Sequence, residues 1–277
     1  MPELPEVESL RQILERSVIG RAIVGARIGR LPLRRKVTAN FGPRIRGRRI
    51  EKIGRRAKYL ILELDGEDVI LVHLGMSGSL TCRNSDFDSS EFNRRHDHVE
   101  FRLDNGARLV FNDPRRFGMV RLVARAALPA LREMKGLGPE PFSEAFNADY
   151  LAARARGRKV AIKNLIMAQG IVAGVGNIYA SEVLYRAGVR PTRPAGRLKR
   201  EEIARIAQFI PIILRDAIDR RGTTFRNYRD SEGRPGAFAD RLQVYGRAGK
   251  RCYRCSTPIK SVVIGQRASF YCPTCQK

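Results

Sequence analysis

Apolar residues recur at helical spacing near the start of the chain, where Val7, Leu10, Ile13 and Leu14 fall on one face. Pro5 suits the first turn of that helix and Gly20 ends it. From residue 21 to 123 the texture changes to short runs rich in Val, Ile and Leu, at 21–31, 57–64, 68–74, 98–103, 107–111 and 119–123. Asp65-Gly66 and Asn105-Gly106 punctuate these runs, and Asn-Gly is a strong hairpin signal. Many short strands with turn punctuation predict an antiparallel sandwich or barrel, with the first helix packed on one side.

Two glycines and two prolines in Gly136-Leu137-Gly138-Pro139-Glu140-Pro141 continue neither strand nor helix and predict a linker. Helical spacing then takes over at 147–156, 162–169, 177–187 and 199–220, with Pro211 expected to kink or split the last helix. Residues 222–236, rich in Gly, Arg and polar side chains, read as a loop. Near the end, 259–264 and 267–272 flank Gly265-Gln266 and predict a hairpin. No internal repeat is visible. The expected organisation is α+β: a helix and β-domain over 1–136, a linker over 137–146, a helical domain over 147–240 and a small terminal module over 241–277.

Charge decides the partner class. Fifty-three Lys and Arg oppose 28 Asp and Glu, a formal charge of +25 in 277 residues, which calls for a polyanion. Basic residues often form only a solvated face, but such faces include acids. Here eight Lys or Arg and no Asp or Glu fall between 241 and 277, and Arg154-Ala-Arg156-Gly-Arg158-Lys159 is likewise free of acids. Nucleic acid is favoured over a membrane, because the sequence has no lipidation signal and no long basic amphipathic helix. With neither signal peptide nor a bilayer-length apolar run, the expected location is the cytosol.

Five cysteines in such a chain argue against a disulfide scaffold. Cys252-x2-Cys255 and Cys272-x2-Cys275, sixteen residues apart, have the spacing of a four-thiolate zinc site. Cys82 is left over as a reduced, semi-buried thiol.

Candidate chemistry begins at Met1-Pro2-Glu3-Leu4-Pro5-Glu6. Removal of Met1 would make Pro2 a secondary-amine terminus able to attack an electrophilic carbon and form an iminium. An α-amino group titrates near pH ~8, so part of it is neutral and nucleophilic at neutral pH. Glu3 would serve beside it as proton donor or acceptor. The competing structural reading is that Pro5 simply starts a helix. Further along, Ile171-Val-Ala-Gly-Val-Gly-Asn177-Ile-Tyr-Ala180 places glycines ahead of a helix, a natural phosphate site with Asn177 as its cap, or else a tight turn in the core. No strand precedes these glycines, which excludes a dinucleotide-binding fingerprint. Asn112-Asp-Pro-Arg115-Arg-Phe117-Gly118 and His73-Leu-Gly-Met76-Ser-Gly78 present Arg115, Phe117 and Met76 on turns, where they could enter a duplex vacated by a base or pack in a core. Lys58 reads from its neighbours as an ordinary surface lysine.

Taken together these segments resemble the formamidopyrimidine-DNA glycosylase family. The resemblance runs through nearly the whole chain: PELPEVE, Arg55-Arg-Ala-Lys58-Tyr59-Leu, HLGMSGSL at 73–80, His96-Asp-His98, DPRRFG, LGPEP, GVGNIYASE and the terminal cysteine module, in the family's order. The related endonuclease VIII branch, which acts on oxidised pyrimidines, typically has Gly in place of Leu4 and lacks this form of HLGMSGSL.

The resemblance implies a β-sandwich domain, a helix-two-turn-helix domain, one structural zinc and no organic cofactor. It implies a monomer of base excision repair that removes 8-oxoguanine and formamidopyrimidines from damaged duplex DNA, then cleaves the strand by β,δ-elimination. Pro2 matches the family's nucleophile, Glu3 its acid–base partner, Lys58 the residue assigned to β-elimination and Arg267 the one linked to δ-elimination and phosphate grip. His96, Arg115, Lys159 and Asn177 fall at DNA-contacting positions, and Met76, Arg115 and Phe117 match the triad that fills the gap left by an everted base. Family members often carry Thr at Val160 and Lys at Arg95, and residues 225–228 of the loop expected to hold the damaged base are less standard. A zinc-ribbon regulator would explain the charge and cysteines but not the Met-Pro-Glu terminus. A silent damage sensor would leave Pro2, Glu3 and Lys58 together without purpose.

Overall fold

The computed structural model describes residues 2–84, 94–224 and 230–277. The chain divides into two compact units, Met1–Lys135 with Ile218–Ala239, and Gly136–Ala217 with Asp240–Lys277. Among the described residues no helix is long and apolar enough to cross a membrane.

The first unit opens with α1 (Leu4–Val18), whose buried face carries Leu4, Val7, Leu10, Leu14 and Val18, with Ile13 half-buried. After it come β1 (Ile23–Ile28), α2 (Phe41–Ile45), β2 (Ile50–Arg56), β3 (Tyr59–Leu64), β4 (Asp68–His73) and β5 (Ser79–Arg83). Strands β6 (Asp97–Leu103), β7 (Arg108–Asn112) and β8 (Met119–Ala124) follow, then the short α3 (Arg132–Lys135). Two four-stranded sheets form, ordered β1-β6-β7-β5 and β2-β3-β4-β8, with every pairing antiparallel. The sequence left sandwich and barrel open; two separate sheets make a sandwich. Alternation along β3 turns Leu60, Leu62 and Leu64 into the same core as Val7, Leu10, Val99, Phe101 and Phe111. Strands β2 and β5 and helix α2 were not expected. Ile50-Glu-Lys-Ile-Gly-Arg-Arg56 is mostly polar, and only Ile50 and Ile53 of it are buried.

This connectivity matters for function. The β4–β5 and β7–β8 connections each pass from one sheet to the other. They carry Met76 in one case and Arg115 and Phe117 in the other.

The second unit contains α4 (Ala148–Ala155), α5 (Ile162–Met167), α6 (Asn177–Ala187) and α7 (Arg200–Asp219), then the hairpin β9 (Lys260–Ile264) and β10 (Arg267–Tyr271). Asn147 caps α4 by accepting from Tyr150 N at 2.9 Å. Pro211 does not split α7. The helix runs through it as one 20-residue element, held by a buried stripe of Ile203, Ile206, Ala207, Ile210, Leu214 and Ala217. The Gly-Pro segment before α4 packs on the α5–α6 connection: Gly138 N donates to Gln169 O at 2.8 Å and Ala173 N to Pro139 O at 3.0 Å.

One polar group sits deep in the β-domain. Both guanidinium NH groups of Arg83 donate to Asp97, at 2.8 and 3.0 Å, and Asn112 Nδ2 adds a third bond at 2.7 Å. Both charges are buried, so deleting Asp97 takes the paired carboxylate from a buried guanidinium. Asp97→Ala is therefore expected to destabilise the β-domain by about 3 kcal/mol or more, read as a lowered urea midpoint at unchanged slope.

Candidate functional site

Residues 2–6 form a buried structure. Pro2 is buried and Glu3 is 2% exposed. Glu6, itself buried, reaches back so that its Oε2 accepts from Glu3 N at 2.7 Å, half of a capping box. Its other oxygen accepts from Thr223 N at 2.7 Å, joining the N-terminus of α1 to the segment after Gly222. Gly222 has φ +76°, and a Cβ there would stand 2.7 Å from Glu6 Oε1, so both conformation and space call for glycine. Residues 225–228, expected to hold the damaged base, lie outside the described residues. Their flanks are paired: Gly236 N donates to Thr224 Oγ1 at 2.8 Å and Cys82 N to Ser231 O at 3.0 Å.

Lys58 sits in the tight β2–β3 turn and is buried, against the surface position its neighbours suggested. Ala57 adopts φ +52°, and Arg55 fixes the turn by donating to Ala57 O (2.9 Å) and to Glu8 of α1 (2.8 Å). Across the sheet the His73 ring lies 4.7 Å from that of Tyr59. Burial, with Lys58 and Arg34 nearby, lowers the His73 pKa to about 4, so the ring is neutral at physiological pH.

Met76 and Phe117 are each 44% exposed, unusual for large apolar side chains and unlike a core position. The Arg115 guanidinium lies 4.8 Å from the Phe117 ring centre. His96 is half-buried in the turn before β6, and its carbonyl accepts from Asp113 N at 3.0 Å.

In the second unit, Gln169 shapes the α5–α6 connection. Its Oε1 accepts from Gly174 N at 2.8 Å and its Nε2 donates to Val175 O at 2.8 Å. Asn177 is the first residue of α6, and Gly176 occupies the cap, which corrects the expected capping role. The Asn177 side chain is used elsewhere. Its Oδ1 accepts from Lys163 Nζ at 2.6 Å and its Nδ2 donates to Ala268 O at 3.0 Å, so Asn177 is joined to the residue after Arg267. Lys163, 0% exposed, also donates to Ser269 Oγ (2.6 Å) and Ala268 O (3.2 Å), giving a buried ammonium three acceptors. Arg267 and Lys159 are exposed.

The four cysteine sulfurs lie within 4.8 Å of one another. Four thiolates at that separation suit one tetrahedral zinc and leave no position for a catalytic water, so the metal is structural. Tyr185 of α6 shares a hydrogen bond with Cys252 Sγ at 3.3 Å, an outer contact to a ligand sulfur. The turn Gly265-Gln266 has φ +55° and +61°, as a tight hairpin requires. The approach to the module is held by Glu182, a buried carboxylate accepting from Gln243, Val244 and Tyr245 N at 2.8–3.0 Å. Burial raises its pKa, and these backbone donors pull it down.

Three family models cover the chain: the formamidopyrimidine-DNA glycosylase N-terminal domain at residues 1–120, the H2TH domain of the same enzymes at 137–229, and a zinc finger found in FPG and IleRS at 249–277. The chain belongs to the formamidopyrimidine-DNA glycosylase family. It is 46% identical over the full length of both chains to the formamidopyrimidine-DNA glycosylases of Thioalkalivibrio sulfidiphilus and Syntrophotalea carbinolica. The MutM (FPG) protein of Thermus thermophilus is 35% identical with a TM-score of 0.88, over 99% of this chain and 98% of that one. Lactococcus lactis Fpg in complex with DNA containing an abasic site is 31% identical with a TM-score of 0.90, over 99% of each.

Within this family frame the first unit holds Pro2, Glu3, Lys58, Met76, His96, Arg115 and Phe117, and the second holds Lys159, Asn177, Arg267 and the cysteines. Sequence reasoning missed Lys163, Glu182 and the depth of Glu6. The available signal was a charged residue inside an apolar helical stretch, as in Ile162-Lys163-Asn-Leu165-Ile166. Cys82 is half-buried, and burial pushes its thiol up, as a reduced inert cysteine requires.

Removing the zinc should unfold the terminal module, since such sites supply roughly 10 kcal/mol of folding free energy. Cys272→Ser is expected to lose zinc, measured by metal content, with the β-domain unfolding transition retained. His73 predicts a pH effect. Its folded pKa lies below the free value of about 6.5, so the stability it adds is present above that value and fades as pH falls toward 4. Chemical denaturation between pH 7 and 4 should show a loss on the order of 1 kcal/mol that His73→Gln removes.

Proposed function

We propose that the chain is a bifunctional DNA glycosylase/AP lyase of base excision repair, acting on oxidised purines in duplex DNA. One observation carries the reading: in a member of this family, Pro2 and Glu3 are buried side by side at the capped start of α1. Solved relatives support the substrate class. A mutant of Lactococcus lactis Fpg has been crystallised with Fapy-dG DNA, and a 31% identical MutM with carbocyclic 8-oxo-G DNA. A complex of the Lactococcus enzyme with oxidised-pyrimidine DNA broadens the range to test.

In the proposed reaction the neutral Pro2 nitrogen attacks C1′ of the damaged nucleoside. The glycosidic bond breaks, its electron pair leaves with the base, and Glu3 handles the proton at the sugar. Opening of the sugar gives an iminium, which acidifies the C2′ proton. Lys58 assists its transfer as the 3′ phosphate departs, and Arg267 grips phosphate for the second elimination. Met76, Arg115 and Phe117 fill the space left by the base and offset an eversion cost of a few kcal/mol. His96, Lys159 and Asn177 hold the backbone, which fixes register without reading sequence. Residues 1–136 carry the covalent chemistry, and 147–240 with 241–277 supply grip. Each group comes from one chain, so a monomer suffices, acting wherever the genome is held.

Borohydride reduces an iminium to a stable covalent bond. On duplex DNA containing 8-oxoguanine the wild type is expected to yield a trapped complex visible by gel electrophoresis, and Pro2→Gly, with its primary amine, far less. Equal trapping by both would move the nucleophile to a lysine.

A further inference from the structure

Asp113 lies at the point where the two sheet-crossing connections meet. Its carboxylate is 0% exposed. Oδ1 accepts from the Ser77 hydroxyl at 2.6 Å and from Arg115 N at 3.2 Å, and Oδ2 accepts from Gly118 N at 2.7 Å. Ser77 Oγ in turn accepts from Arg115 N at 3.2 Å. The backbone of Asp113 is equally engaged: its N donates to His96 O at 3.0 Å, and its O accepts from His98 Nε2 at 2.9 Å and Arg116 N at 3.1 Å. The donors on the carboxylate flank the three exposed side chains. Ser77 follows Met76, Arg115 is itself one of them, and Gly118 follows Phe117. The two backbones touch without side chains between them, since a Cβ on Gly75 would stand 2.6 Å from Gly118 N and from Phe117 C.

We infer that Asp113 is a positioning residue that locks Met76, Arg115 and Phe117 into one preformed wedge, so that insertion into DNA costs little further ordering. The inference rests on the glycosylase reading above. A carboxylate is needed because two backbone N–H groups and a hydroxyl converge on two oxygens. An amide would turn its NH2 toward at least one of those donors. Each bond to the ionised group is stronger than its neutral equivalent. Loose turns would still carry the same three side chains but would have to be ordered during eversion.

The test compares excision of 8-oxoguanine paired with cytosine against cleavage at a preformed abasic site, which needs less unstacking. Asp113→Asn is expected to slow the first by roughly ten- to a hundredfold while the second stays within about threefold of wild type. Ser77→Ala, which removes one bond and little volume, is expected to slow excision by roughly three- to tenfold with the same selectivity, and it serves if Asp113→Asn folds poorly. In both, fluorescence of 2-aminopurine beside the lesion should report slower wedge entry in stopped flow. Equal losses on the two substrates, or no loss on either, would overturn the positioning role while leaving the glycosylase reading standing. No excision and no strand cleavage by the wild type would overturn both.

Discussion

A buried carboxylate that accepts backbone hydrogen bonds from two segments fixes both pieces of chain at once, and Glu6 does this where the proposed nucleophile sits. Its two oxygens take Glu3 N and Thr223 N at 2.7 Å each. Charge-assisted bonds of this kind contribute roughly 1.5–3 kcal/mol apiece when desolvated, and the positive end of the α1 dipole favours the charge they surround. The consequence is that Pro2 and Glu3, close to a terminus of the kind that frays in many chains, are buried in a hydrogen-bonded turn. Pro2 and Glu3 are thus ordered without substrate, and the segment that leads to residues 225–228, the proposed base-binding loop, starts from the same carboxylate.

The second unit uses the opposite charge in the same way. Lys163, buried among Asn177, Ala268 and Ser269, joins the start of α6 to the strand that begins at Arg267. Glu182 collects three backbone donors leading into the zinc module. Zinc, hairpin and helix terminus thus form one assembly in which Arg267, the proposed phosphate grip, stands on a base set by buried Lys163 and Glu182. Arg267 and Lys159, proposed to meet DNA, are exposed, whereas Lys163 and Glu182 are buried.

Much of this was legible in the sequence, for reasons that differ by element. Helix α6 and the β9–β10 hairpin are announced by local punctuation, glycines before Asn177 and Gly265-Gln266 at the turn, which needs no knowledge of the partner. The four cysteines declare their site through spacing alone. Strand β2 was invisible because its outward residues are charged and its alternation rests on Ile50 and Ile53. Pro211 misled because a local rule ignores the long apolar stripe that holds α7 together. Asn177 was assigned to capping because a lysine fourteen residues upstream, the true partner of its side chain, does not declare itself in a linear reading. Lys58 looked like a surface lysine for a related reason: the turn that holds it is tied to α1 by Arg55 reaching Glu8, a contact across 47 positions.

The contact between Gly75 and Gly118 sets terms for how this protein can diverge. A side chain at Gly75 would run into the Phe117–Gly118 backbone, and one at Gly118 into the Phe111 ring, His73 O and Asp113 Oδ2, so neither position can change without moving the turns themselves. Met76, Arg115 and Phe117 meet no such backbone limit, since their side chains are largely exposed, although Arg115 and Phe117 lie against each other. Side chains at the proposed wedge positions can therefore vary on a backbone that has little freedom to move.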